Sequence, residues 1–147
     1  MMAEVGTTRR RTMLLVALTG LLAIGLIGWW TLPSRANTAA PPGMEAQTVQ
    51  AGAVEVRMTP LTVDRSGAEF GLVLDTHTVP LDLDLPGAAQ LRVNGDLAGA
   101  PAWDGPGPGG HHREGTLRFT TPIPPGATVE LRITGLPQDA AATWTAL

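Results

Sequence analysis

Three histidines are the side chains in this chain best suited to bind a metal or exchange a proton near neutral pH, and all three lie after residue 76. His77 follows Asp75 and precedes Asp82 and Asp84. His111 and His112 are adjacent, inside Trp103-Asp104-Gly105-Pro106-Gly107-Pro108-Gly109-Gly110-His111-His112-Arg113-Glu114-Gly115. Imidazole is the commonest side-chain ligand for Zn²⁺ and Cu²⁺, and a carboxylate such as Asp75 or Asp104 can complete or orient such a set. His77, His111 and His112 are therefore the metal candidates. Together with Asp75, Asp104, Arg113 and Trp103 they form the candidate binding set. Adjacent histidines on a regular strand point to opposite faces and cannot share one ion. The Gly- and Pro-rich run from Gly105 to Gly110 argues for a loop, which relaxes that objection. Against a metal, no metal-ligand spacing pattern is present, and His77 must come to the loop through the fold. The plainer reading has His111 and His112 bonding the loop's own backbone, with Arg113 and Glu114 at its rim and Trp103 as a core plug.

Other chemistry is thinly represented. Cysteine is absent, which excludes disulfides, thiolate metal sites and a lipid-modified cysteine. There is no Gly-x-Ser-x-Gly, no phosphate-binding glycine loop and no His-Glu-x-x-His. Ser66 is the one serine after residue 52, and it sits in an expected turn. No enzyme is expected, and no cofactor beyond a candidate Zn²⁺ or Cu²⁺ ion. Asp82 and Asp84 share a face at i, i+2, but two carboxylates are too few oxygens for Ca²⁺ and read as solvated charge. Residues 37–147 carry six arginines against twelve acidic residues, a net of −6. Such a surface is a poor match for phosphate, so nucleic acid is not an expected partner.

The elements that must position these residues repeat with a period of two. Val54, Val56 and Met58 alternate with Glu55 and Arg57; Phe70, Leu72 and Leu74 follow, then Val79, Leu81, Leu83 and Leu85. Leu91 with Val93, Leu117 with Phe119, and Val129, Leu131 and Ile133 continue the pattern, with a last short strand over 143–147. Turn residues bound each run, among them Asn94-Gly95-Asp96 and Pro124-Pro125-Gly126. Seven or eight short antiparallel strands in about 95 residues predict an all-β, immunoglobulin-like β-sandwich, with a small β-barrel as the alternative. Inward residues fall on even positions through Leu74 and on odd positions from Val79. A strand cannot change parity without a bulge or turn, so the chain must bend between Asp75 and Pro80, where His77 lies.

The other end of the chain is of a different kind. Arg9, Arg10 and Arg11 precede an uncharged apolar run, and Met13–Leu32, twenty residues, makes a helix of roughly 30 Å, the thickness of a bilayer core. Flanking arginines hold the preceding residues inside, and Trp29 and Trp30 suit the far interface. The expected organisation is a cytoplasmic tail over 1–11, a transmembrane anchor or signal peptide over 12–32, a flexible linker over 33–52 and an exported domain over 53–147. The expected location is the cell membrane, single-pass, with the C-terminal domain extracytoplasmic. The alternative is secretion after cleavage near Ala36, at Ser34-Arg35-Ala36.

The segments Leu74–Thr78, Leu81–Leu85 and Trp103–Phe119 resemble a group of small, uncharacterised bacterial exported or membrane-anchored proteins with a W-D-G-x-x-P-G-G-H-H-R-x-G loop. The resemblance covers about 70 residues and implies that the two histidine-bearing segments belong to one unit. The expected function is a membrane-anchored, extracytoplasmic, non-enzymatic binding or interaction module that meets the membrane through residues 12–32 and a protein partner in the envelope. The alternative is a copper- or zinc-binding envelope domain acting through His77, His111 and His112.

Overall fold

The computed structural model describes residues 43–147; the tail, the apolar segment and the linker up to residue 42 lie outside the described residues. Nine strands and one helical turn follow in order: β1 Gln47–Ala51, β2 Val54–Asp64, β3 Gly67–Thr76, α1 Leu85–Ala88, β4 Ala89–Val93, β5 Asp96–Leu97, β6 Ala102–Asp104, β7 His112–Phe119, β8 Thr128–Ile133 and β9 Ala140–Thr145. They form two antiparallel sheets, β1-β2-β3-β7-β6 and β5-β4-β8-β9. Neither closes on itself, so the architecture is an all-β, two-sheet sandwich and not a barrel.

Alternation explains the layering. Val54, Val56 and Met58 are fully buried while Glu55 and Arg57 are exposed, and Phe70, Leu72 and Leu74 repeat this on β3. The second sheet answers with Leu91, Val129, Leu131 and Ile133, and all of these belong to one hydrophobic cluster. Trp144 on β9 joins it, 5.3 Å centroid to centroid from Phe70, which also meets Phe119 edge-on. Each such side chain contributes about 1.5–3 kcal/mol by leaving water. Without disulfides, this core must offset the chain's conformational entropy.

Three expectations need correction. The folded part starts before Ala53: β1 falls in the segment read as linker, and Met44 ahead of it is buried. QTVQA holds a single large apolar side chain, Val49, between two glutamines, too little for its pattern to stand out. The run from Val79 to Asp84 belongs to neither sheet, and its end turns into α1, with an extended Asp84 whose carboxylate caps Gly87 N–H at 3.1 Å. β7 begins at His112, so His112, Arg113 and Glu114 stand on a strand and not in the loop. By contrast, the Asn94–Gly95 turn is as the sequence reads: φ values of 53° and 93° give a two-residue hairpin between β4 and β5.

Candidate functional site

The parity change after Leu74 is resolved at Thr76. Its buried hydroxyl accepts from the N–H groups of Thr78 and Val79, at 3.3 and 3.4 Å, and so folds the bend that carries His77. The chain then returns alongside the histidine loop. Thr76 N–H donates to His111 C=O, Leu81 N–H to Gly110 C=O, and Gly109 N–H to Leu81 C=O, each at 2.9 Å. Gly109 and Gly110 hold φ values of 120° and 73°, a backbone that side-chain-bearing residues rarely adopt. The two histidine-bearing segments are thus laid side by side through their main chains.

Arg113 locks this arrangement. On β7 it shares inward parity with Gly115, Leu117 and Phe119, so its side chain enters the end of the sandwich, 1% exposed. One guanidinium nitrogen donates to Leu83 C=O at 2.7 Å and Leu81 C=O at 3.3 Å, and the other to Pro106 C=O at 3.0 Å. The Trp103 ring lies 5.7 Å from the guanidinium carbon, and its Nε1–H donates to the same Pro106 carbonyl at 2.9 Å. Among the described residues Nε of Arg113 has no partner. Burial holds this guanidinium below its ordinary value, with Asp84 acting weakly in the opposite direction. Arg113, expected at the rim of the loop, is instead its buried clamp. Trp103 is half-buried on β6, covering Gly105 and Gly115 at the sheet edge.

The exposed rim carries the remaining candidates. His112 stands opposite Asp75 in the β3–β7 register, and Nδ1–H donates to the carboxylate at 2.6 Å. Glu114, two residues on along the same face, is 3.9 Å from Nε2, too far for a hydrogen bond. The Asp75 hydrogen bond and charge hold His112 above the usual imidazole value. His77 and His111 are both exposed, and His111 contributes its backbone carbonyl to the bend. Asp104 lies apart, facing Arg118 at 3.6 Å, which in turn bonds Glu69 at 2.9 Å. Among the described residues no three His, Asp or Glu side chains gather where one ion could hold them. β7 starts between the adjacent His111 and His112, so only His112 stands on a strand.

The other edge of the Val79–Asp84 segment borders an open groove of about 500 Å³, lined by Val54, Val79, Pro80, Asp82 and Leu83 on one side and Gly135, Leu136 and Pro137 on the other. Sequence reading missed this groove, because no motif marks a space between two loops. It also missed Thr76 and the three carbonyls held by Arg113. Comparison with protein-family models, curated proteins and solved structures finds no match for this chain.

Proposed function

We propose that the chain is a membrane-anchored, extracytoplasmic interaction module without catalytic activity, built on an immunoglobulin-like sandwich. The observation that carries this reading is the clamped histidine end. Arg113, Trp103 and five main-chain or hydroxyl hydrogen bonds hold two segments in one geometry while Asp75, His77, His111 and His112 stay exposed. Polar side chains on a pre-ordered loop bind with little further loss of conformational freedom. The chain enters the sandwich at the opposite end: Met44 sits with Pro60–Val63 and Leu147, whereas Thr76 and His111 lie by Val54. Six strand steps from Val54 to Pro60 are about 20 Å, so the histidine end stands about that far from where the chain enters the sandwich.

Photo-crosslinking in cells tests the reading. A crosslinking residue at His77 or His111 should give a discrete adduct with an envelope protein, whereas one at Asp96 on β5 should not. Adducts absent from both histidine positions, or equally strong at Asp96, would refute it.

A further inference from the structure

Val79–Asp84 behaves as a strand with one edge in use. Leu81 spends its N–H and C=O on Gly110 and Gly109, and Leu83 C=O receives Arg113, all toward the histidine loop. In an extended segment successive residues aim their N–H and C=O groups to opposite sides. Asp82, between them, has no hydrogen-bond partner for its N–H or its C=O among the described residues, as expected where an extended run aims these groups the other way. That side is the groove of about 500 Å³, whose lining combines Val54, Val79, Leu83 and Leu136 with the exposed carboxylate of Asp82. A free strand edge beside an apolar floor is what strand addition uses: main-chain bonds supply affinity and pockets for alternate side chains supply selectivity.

We propose that this groove binds an extended segment of a partner protein as an added strand beside Pro80–Asp84, with a lysine or arginine of that segment facing Asp82. Charge selects the occupant. Asp82 is the one charged side chain in the groove lining, and the described residues carry twelve acidic groups against six arginines, so a basic segment is drawn in and an acidic one repelled. The site is a different surface from the histidine rim, on the opposite edge of the same segment, and the two can be tested apart.

The test uses the full chain in detergent and fluorescein-labelled hexapeptides read by anisotropy: a blocked Val-Thr-Val-Lys-Val-Thr and its counterpart with Glu in place of Lys. The lysine peptide should bind saturably below about 1 mM and at least tenfold more tightly than the glutamate peptide. Methylating alternate backbone nitrogens of the peptide, in the register that meets Asp82, should weaken it at least tenfold. Asp82→Lys should reverse the charge preference, while His111→Ala should change neither. Equal binding of both peptides, or binding indifferent to backbone methylation and to Asp82→Lys, overturns the proposal. So does a groove that accepts peptide only after residues 33–42 are deleted, or self-association abolished by Asp82→Lys, because the occupant is then this chain itself. A histidine-end adduct in cells with no peptide binding here would leave the interaction module standing and remove only this site.

Discussion

Arg113 is the side chain whose chemistry and position disagree most. A guanidinium in the end of an apolar sandwich loses water on every side, and three carbonyls replace it without a carboxylate in contact. Truncation to Ala would orphan those carbonyls and leave a void. Each unsatisfied group costs about 1–3 kcal/mol, partly offset by no longer burying the charge, so Arg113→Ala should lower unfolding free energy by about 2–4 kcal/mol. Arg113→Lys should recover little of it, since a point ammonium cannot reach Leu83 and Pro106 together. Urea unfolding of the three proteins decides this; a lysine variant as stable as the parent would show that charge alone suffices. His112 gives a second prediction at this scale. Its folded value is raised, so the pair with Asp75 adds stability that is fully present below the unfolded imidazole value near 6.5 while Asp75 stays ionised. That contribution is lost as pH rises through the raised folded value. NMR titration of the His112 ring protons should place it above the ordinary imidazole value, and Asp75→Asn should bring it down; coincident curves in parent and variant would contradict the pairing.

Trp103 and β7 show how an element holds the site. The indole covers the backbone at Gly105 and Gly115, where an added Cβ would stand 2.5 and 2.6 Å from its ring atoms. Gly115 pairs with Leu72 at the centre of the β3–β7 ladder, so neither strand can yield easily. Overpacking of this kind costs about 1–3 kcal/mol, and Gly115→Ala should also loosen the loop by displacing Trp103 from Pro106. A fall in melting temperature together with a red-shifted tryptophan emission would confirm it; an unchanged spectrum would mean that the ring was never held there. The same strand shows what the sequence could and could not disclose. Strands whose inward positions are large and apolar, such as Val54–Met58 and Val129–Ile133, announce themselves, and the parity change places the bend between Asp75 and Pro80, around His77. β7 was read from Leu117 onward only, because Gly115 is silent and arginine is ordinarily an outward residue. Extending the odd parity of Leu117 and Phe119 back by two and by four residues would have placed Gly115 and Arg113 inside. No comparable signal exists for the groove, which depends on where the Gly135–Pro137 turn lies in space.

At the scale of the whole sandwich, the question is where the cooperative unit begins. β1 pairs with β2 in one sheet, yet Gln47 Nε2–H donates to Thr143 C=O and Trp144 Nε1–H to Glu45 C=O in the other, both at 2.8 Å. Residues 44–51 therefore fasten the two sheets along one side, and the buried Met44 lines a small hollow together with Pro60–Val63 and Leu147. A chain shortened to begin at Ala53, the boundary that composition suggests, loses the five register pairs of β1 and exposes the indole N–H of Trp144. Burial of Met44 alone is worth about 1.5–3 kcal/mol, and the lost strand adds to it. Domains of this size have only about 5–15 kcal/mol in hand, so the shortened chain should unfold at markedly lower urea or fail to fold. A chain beginning at Gly43 should keep the full transition. Equal midpoints for the two would show that β1 is an ornament on a sandwich complete without it. A lower midpoint only for the shorter chain would show instead that residues 44–51 are part of the fold that holds the histidine end in place.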